Sequence, residues 1–170
     1  MKKVDIKNLD IPALKAGDEI YLSGEVYTAR DAAHKRIVEA IHSGGDLPFD
    51  LCGAAVYYAG PTPSVGGEII GSCGPTTSAR MDDYTPALLD RGLKIMIGKG
   101  QRSKAVTDAI VSNKAVYLVA VGGAAALIKS KVTVNEEIAY EDLGCEAIHR
   151  LTFKDLPLLV ATDSKGRSIF

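Results

Sequence analysis

Short apolar runs that end at glycines recur in this sequence, and they restrict the folds open to the chain. Three such runs cover residues 54–58, 93–97 and 115–121, and each is followed by a glycine within two residues. Apolar runs of this length, bounded by turn residues, predict buried β-strands. The chain should therefore contain several short strands that pack into one core.

Helical segments with start and stop signals separate these strands. Thr28, with Asp31 three residues later, resembles a capping box and predicts a helix over residues 29–41 that stops at glycines 44 and 45. Further helices are predicted from Thr85-Pro86 to Gly92, over residues 101–113, and in the Ala-rich stretch after Gly122-Gly123. This alternation of strands and helices indicates a layered α/β domain.

Both ends of the chain add strand patterns. Residues 18–27 alternate apolar and polar side chains, and two late segments, 147–153 and 158–162, are also strand-like. No repeat or Pro/Ser-rich linker divides the sequence. We therefore expect residues 1–170 to form a single α/β domain, a layered sheet with flanking helices.

Charge and hydropathy narrow the classes of partner. The 20 basic and 21 acidic side chains give a net charge of −1, whereas a nucleic-acid platform needs a basic excess. The start, Met1-Lys-Lys-Val-Asp, lacks the apolar region of a signal peptide. The longest apolar stretch, residues 115–128, is shorter than the roughly 20 residues that span a bilayer. We expect no nucleic-acid or membrane partner and a cytoplasmic location.

The three cysteines lack the spacing of a zinc site. Cys52, Cys73 and Cys145 are scattered, with no histidine at a suitable distance along the chain. Three thiolates could in principle hold a [4Fe–4S] cluster with one open iron. The apolar surroundings of Cys52 and Cys145 favour buried structural thiols instead. Cys73 differs because it lies beside the most informative motif, and we expect no metal site on this chain.

Three segments carry cations beside glycines or a helix start. Arg30 lies in the first turn of the predicted first helix, where it needs a partner such as Asp31. If a helix begins near Thr76, then Thr76 and Arg80 share one helical face. A hydroxyl and a guanidinium on one face suit a carboxylate, although a helix cap with a solvated arginine explains the same residues.

Lys99 stands between two glycines at the end of a predicted strand. Glycines allow the backbone to approach a ligand closely, and ligands commonly bind at the carboxyl ends of strands in α/β sheets. The segment is not a phosphate-binding P-loop, and a structural turn with an exposed lysine is the alternative. His34 is a candidate for contact with a site near Arg30, whereas His42 and His149 have no metal or triad spacing.

The three segments together resemble the C-terminal domain of class I, iron–sulfur-dependent fumarases. The matching residues are Thr-Ala-Arg-Asp-Ala-Ala-His from Thr28, Gly-Pro-Thr-Thr-Ser-Ala-Arg-Met-Asp from Gly74, and Ile-Gly-Lys-Gly from Ile97. The same residues resemble the beta subunit of the related L-tartrate dehydratase. The resemblance runs from about Asp18 to the C-terminus, and the Gly-Pro-Thr-Thr-x-x-Arg-Met segment is its most specific part.

The resemblance implies both a fold and a division of labour. It implies a swivelling β/β/α domain and a partner alpha subunit that holds a [4Fe–4S] cluster. The residue matching Thr76 would transfer the proton at the substrate carbon. Residues matching Arg30, Arg80 and Lys99 would bind the carboxylates of a small dicarboxylate substrate.

Three interpretations remain open from the sequence, and a fumarase beta subunit is the leading one. The substrate can be (S)-malate and fumarate or, if the chain is a tartrate dehydratase subunit, L-tartrate. A third possibility, of a different class, is a stand-alone anion-binding domain without catalysis. The isolated chain could also form a homodimer, and the sequence does not decide this.

Overall fold

A single sheet with helices along one face forms the framework of the chain. The computed structural model describes residues 1–120 and 125–170. The strands are β1 (Lys2–Asp5), β2 (Glu19–Thr28), β3 (Ala55–Tyr57), β4 (Ile95–Gly98), β5 (Val116–Ala120), β6 (Val132–Ala139) and β7 (Ile148–Thr162). The helices are α1 (Asp31–Ser43), α2 (Thr85–Asp90), α3 (Lys104–Asn113) and α4 (Ala125–Ser130), with 3₁₀ helices at Ile6–Asn8, Ile11–Ala13, Ser78–Met81 and Glu141–Glu146.

The sheet closes on itself through the long strand β7. Strands β2, β3, β4 and β5 are parallel neighbours in that order. Strand β7 runs antiparallel to β5 on one side and to β2 on the other, which completes a small barrel-like ring. Strand β1 extends the sheet beside β2, and β6 does so beside β7. A ring removes the exposed edges that an open sheet of short strands would leave.

Alternation along the strands divides the buried side chains into two cores. The first fills the inside of the ring with residues such as Ile20, Leu22, Ile97 and Leu158, all at most 1% exposed. The second lies between the outer face of the ring and helices α1, α2 and α3, with members Val56, Met96, Ile37, Leu88 and Ile110. Successive side chains of a strand point to opposite faces, so one apolar run serves both cores.

The mixed α/β class is confirmed, but the predicted start of helix α1 is wrong. Thr28 is the last residue of β2, and its hydroxyl oxygen accepts the backbone N–H of His149 at 2.9 Å. The hydroxyl is therefore not available as a helix cap. Arg30 occupies the N-cap position without a side-chain cap, and Gly44 ends the helix at φ +70° as expected.

Other boundaries differ by a few residues for local reasons. Helix α3 begins at Lys104, because Ser103 is its N-cap and accepts the N–H of Val106 at 3.3 Å. The two late segments form one strand, β7, with Asp155 at φ +52° inside it. Gly122-Gly123, which precede the predicted Ala-rich helix, lie outside the described residues. Within the described ranges, no helix has the length and apolar character needed to cross a membrane.

Leu22 provides a test of the core inside the ring. The Leu22→Ala variant should lower the free energy of unfolding by about 2–5 kcal/mol, since it leaves a cavity among packed side chains. The matched control is Leu127→Ala, because Leu127 is 38% exposed and should cost less than about 1 kcal/mol. Urea denaturation of both variants measures the difference, and equal losses would contradict this assignment of the core.

Candidate functional site

The carboxyl ends of three parallel strands meet at one edge of the ring. Arg30 follows the end of β2, Tyr58 follows β3, and Lys99 follows β4. The register pairs Thr28 with Tyr57, and Tyr57 with Ile97. Since neighbouring parallel strands end side by side, the segments that bear Arg30 and Lys99 lie at the same edge.

The segment from Thr76 to Ser78 extends the sheet between β3 and β4. The backbone N–H of Thr76 donates to the carbonyl oxygen of Tyr58 at 2.7 Å. The backbone N–H of Ser78 donates to the carbonyl oxygen of Lys99 at 3.0 Å. Thr77 forms an isolated parallel bridge with Lys99. The Lys99 N–H in turn donates to the Ser78 hydroxyl oxygen at 3.0 Å. Thr76 and Lys99 are therefore held on adjoining backbone segments.

The predicted helix starting near Thr76 is wrong. Thr77 has φ −59° and ψ +121°, which is not helical, and Thr76 and Ser78 hydrogen-bond to the neighbouring strand ends instead. Only the 3₁₀ helix Ser78–Met81 follows, and Thr76 lies outside it. Thr76 and Arg80 consequently do not share a helical face. Hydrogen bonds to Asp31 position Arg80 instead.

Asp31 brings the two arginines of the site together. The Nε and Nη2 atoms of Arg80 donate to its two carboxylate oxygens at 3.2 and 2.8 Å. Nη2 of Arg30 lies 3.7 Å from the same carboxylate. The Arg30 side chain passes Gly60, where an added Cβ would lie 3.0 Å from its Cδ atom. The predicted residues Arg30 and Arg80 thus converge on one carboxylate. The pair formed by Asp31 and Arg80 links positions 49 residues apart.

Gly98 leaves space for side chains of the neighbouring segments. A Cβ at this position would overlap the Ser78 hydroxyl oxygen and lie 2.7 Å from Cδ2 of Tyr58. Its small size therefore lets the Thr76–Ser78 segment pack against β4. Gly100, at φ +84°, supplies the left-handed turn that follows.

A buried arginine that sequence reasoning missed supports this edge. The Arg102 side chain is 1% exposed, and its Nε lies 2.7 Å from Oδ1 of Asp82. Its Nη2 donates to the Thr85 hydroxyl oxygen at 2.9 Å, and its guanidinium faces the rings of Tyr58 and Tyr117 at 5.0 and 4.8 Å. Burial lowers the pKa of Arg102, but Tyr58 and the hydrogen bond with Asp82 outweigh it and raise the pKa above its ordinary value. The guanidinium stays charged.

Tyr117 connects this arginine to the Lys99 segment. Its hydroxyl oxygen lies 2.7 Å from the Gly100 carbonyl oxygen and 2.8 Å from the Ser78 hydroxyl oxygen. Burial raises the pKa of Tyr117 to about 12, so the hydroxyl keeps its proton. A carbonyl only accepts, so Tyr117 donates to Gly100 and accepts from Ser78. The sequence places Arg102 in the first turn of the helix predicted over residues 101–113 and gives no sign of its burial.

The Asp82–Arg102 pair should be essential for stability. Asp82→Ala should lower the free energy of unfolding by about 3–5 kcal/mol, because it leaves a buried guanidinium without its counter-ion. Asp108→Ala is the matched control, since the Asp108 pair with Lys104 is exposed and should contribute less than about 1 kcal/mol. Thermal and urea unfolding compare the two, and similar small losses would refute the proposed role of Asp82.

His34 is a buried, neutral histidine next to Arg30. Its side chain is fully buried, and Nδ1 lies 2.8 Å from the Arg30 carbonyl oxygen, so Nδ1 carries the proton. Burial lowers the pKa of His34 to about 4. Nε2 of His34 and the hydroxyl of Tyr58, whose rings lie 5.4 Å apart, find no hydrogen-bond partner in the described part of the chain. His34 borders the site without a charge.

The depressed pKa of His34 predicts a pH-dependent stability. Unfolded His34 binds a proton near pH 6.5, but the folded chain does so only near pH 4. The unfolded state therefore holds more protons within this window, and stability falls by about 3 kcal/mol as pH drops from 7 to 4. His34→Gln should remove this part of the fall. His42→Gln keeps His34 and should retain it.

Urea denaturation at pH 7, 5.5 and 4.5 measures this effect. His149, whose pKa burial also lowers, is present in all three proteins, so the difference between His34→Gln and wild type isolates His34. An unchanged pH dependence in His34→Gln would disprove the assignment.

The prediction that Cys52 and Cys145 are buried thiols is wrong. Cys73 is buried, and burial raises the pKa of its thiol to about 12. Cys52 and Cys145 are exposed, because they lie in a turn after residue 51 and in the 3₁₀ helix Glu141–Glu146 rather than in strands. Among the described residues, no three His, Cys, Asp or Glu side chains gather where they could hold a metal ion.

A cleft of about 450 Å³ lies near Gly60, where an added Cβ would lie 2.7 Å from the carbonyl oxygen of Cys145, one of the residues that line the cleft. Its lining includes Pro61, Cys145 and His149, and His149 is fixed by Asn135 at 2.6 Å. None of the four predicted site residues lines it. The cations instead occupy an open edge of the ring.

The fold and this edge define an α/β ring domain with a cationic site at the carboxyl ends of its parallel strands. The family model described as fumarase C-terminus matches residues 1–170. The chain belongs to this family.

Curated relatives of two kinds are similar to the chain. The anaerobic class I fumarate hydratase of Escherichia coli strain K12 is 40% identical over 151 residues, which are 88% of this chain and 28% of that protein. The putative L(+)-tartrate dehydratase subunit beta of Methanocaldococcus jannaschii is 39% identical over 167 residues, 95% of this chain and 86% of that subunit. The L(+)-tartrate dehydratase subunit beta of E. coli K12 is 33% identical over 178 residues, which cover 99% of this chain and 87% of that subunit.

The chain covers different shares of the lengths of these relatives. The chain spans little more than a quarter of the fumarate hydratase but most of each beta subunit. Its similarity to the fumarate hydratase therefore covers one part of a larger protein.

Proposed function

We propose that this chain is the beta subunit of a two-subunit [4Fe–4S] hydro-lyase that interconverts (S)-malate and fumarate. Its partner would be a cluster-bearing alpha subunit, and the active site would be shared. Family membership and the names of the relatives support the reaction class. The same proposal assigns the chain a swivelling β/β/α fold and a cytoplasmic location.

One observation carries the proposal: Thr76, Lys99 and the Asp31-linked arginines come from one edge of the ring. Arginine binds carboxylates through paired hydrogen bonds, and lysine adds a point charge. A small dicarboxylate needs two such anion sites a few ångströms apart. Arg30 and Arg80 meet at Asp31, while Lys99 lies on the backbone segment that adjoins Thr76.

Thr76 is the residue to which we assign the proton transfer. Dehydration of malate removes a weakly acidic C–H proton next to a carboxylate, and that carboxylate must accept the developing negative charge. Arg80 and Lys99 would stabilise this charge, since fixed cations act most strongly where charge develops. A threonine hydroxyl is a poor base in water, so it needs the same cations to favour its alkoxide. Thr76 is partly buried, which limits its contact with water.

The cluster is assigned to the partner because of the thiols of this chain. Cys73 is buried in the core inside the ring, and its carbonyl oxygen accepts the Tyr57 hydroxyl. Cys52 and Cys145 lie exposed on separate segments. This donor set does not suit a [4Fe–4S] cluster, which takes several converging thiolates. An iron with an open coordination position would supply a Lewis acid for the substrate hydroxyl.

L-tartrate dehydration is the second candidate reaction. The chain covers 86% and 87% of two tartrate dehydratase beta subunits. Its identity to the fumarate hydratase, 40%, is nearly equal to the 39% it shares with the first of these subunits. The substrate is therefore a matter for direct assay.

Co-expression with a cysteine-bearing alpha-type chain tests the proposal. A brown, oxygen-sensitive complex that hydrates fumarate would support it. A complex that turns over L-tartrate but not fumarate would identify L-tartrate as the substrate. A chain that remains alone in solution, as monomer or homodimer, and gives no turnover with such a partner would instead favour a stand-alone anion-binding domain.

Thr76→Ala tests the assignment of the proton transfer. We expect the complex to assemble with its cluster but to lose about 10²- to 10⁴-fold in kcat, which is the usual contribution of a positioned proton-transfer group. Thr133→Ala is the matched control, because Thr133 is exposed on β6 and its hydroxyl donates to the Thr152 carbonyl oxygen at 3.2 Å. Near-normal turnover in Thr76→Ala would exclude the assigned role.

A further inference from the structure

The carboxylate of Asp31 holds one particular edge of the Arg80 guanidinium. Asp31 accepts from Nε and Nη2, which form the side-on edge of the fork. Among the described residues, Nη1 of Arg80 makes no hydrogen bond, and the side chain is 54% exposed. The end-on edge, formed by Nη1 and the second hydrogen of Nη2, is therefore free for another carboxylate.

Asp31 also separates two like charges. Arg30 and Arg80 both approach it, at 3.7 and 2.8 Å, and two guanidinium groups this close would repel each other without a carboxylate between them. Asp31 is the first residue of α1, where a negative side chain is favourable at the helix N-terminus. Its backbone therefore fixes it at the point where the arginines converge.

Asp31 lowers the positive charge of the edge. Arg30, Arg80 and Lys99 are cationic, whereas Asp31 and Glu146, whose carboxylate accepts the Ala32 N–H at 3.2 Å, are anionic. Without Asp31 the edge would be more positive, and the two arginines would be free to separate.

We propose that Asp31 is a positioning residue of the shared active site. It holds Arg30 and Arg80 together and turns the end-on edge of Arg80 toward a substrate carboxylate. The proposal rests on the proposed function. An exposed ion pair contributes little to stability, so the effect of Asp31 should be on substrate affinity and turnover and not on folding.

Asp31→Asn, assayed in the assembled complex, is the main test. The variant preserves the shape of the side chain but removes its charge. We expect KM for the dicarboxylate to rise about tenfold and kcat to fall as well, because Arg80 also stabilises the developing charge, while the midpoint of thermal unfolding stays near wild type. Asp31→Glu, which keeps the charge, should raise KM less than Asp31→Asn does.

Asp142→Asn is the matched control. Asp142 also accepts a two-fold hydrogen bond from an arginine of the surface, Arg36, at 2.8 and 2.8 Å. Its loss should leave KM and kcat within about twofold of wild type. A KM for Asp31→Asn within threefold of wild type would overturn the proposal. A lower KM would also overturn it, because Asp31 would then compete with the substrate for Arg80.

A second measurement separates this proposal from the proposed function. In nitrogen-15 NMR spectra of the full chain, the Arg80 Nε–H should exchange slowly with water in wild type and quickly in Asp31→Asn, while Arg36 responds only to Asp142→Asn. If the wild-type complex turns over neither malate nor tartrate, the proposed function fails. The Arg80 signal then still decides whether Asp31 holds the guanidinium, and no change in Asp31→Asn overturns that claim.

Discussion

The buried ion pair between Asp82 and Arg102 is the interaction on which the site edge depends. Arg102 lies between the rings of Tyr58 and Tyr117, so it touches both the segment after β3 and strand β5. Asp82 follows directly after the 3₁₀ helix that contains Arg80. The pair therefore fastens the segment that bears Thr76 and Arg80 to the end of β4, and a buried charge pair of this kind tolerates few alternative arrangements.

Around this pair, the backbone provides most of the geometry. Thr76 and Ser78 donate to the ends of β3 and β4 as an added piece of sheet, and Gly98 leaves the space that this requires. The Ser78 hydroxyl accepts from Lys99 and donates to Tyr117. The residues assigned to chemistry thus lie on a segment fixed by its own backbone, and their neighbours need only supply charge and burial.

The cationic character of the edge comes from side chains placed on that frame. Asp31 begins α1 at the end of β2 and meets Arg80 from a segment 49 residues later. His34 lies one turn further along α1, uncharged because of its burial, and so adds no charge of its own. The edge therefore combines three cations with the carboxylates of Asp31 and Glu146, in a chain whose overall charge is −1.

The sequence alone was sufficient for the mixed α/β class, the main strands and helices, and the family. These follow from local signals: apolar runs bounded by glycines, the glycine stop at Gly44, and a specific Gly-Pro-Thr-Thr-x-x-Arg-Met segment. It misplaced the cap at Thr28, the helix at Thr76 and the burial of Cys52 and Cys145. In each case a contact with a distant segment, or the turn in which the residue lies, outweighed the local pattern.

Only the tertiary structure decided how the sheet closes and which charges pair. The long strand β7 contacts both β2 and β5, which makes a ring of what the sequence describes as a layered sheet. Arg102 is indistinguishable in sequence from a surface arginine, and its partner is 20 residues away. Local composition determines which segments become strands and helices. Pairings across the chain depend on how those segments pack, because burial and charge neutralisation are properties of the assembled fold.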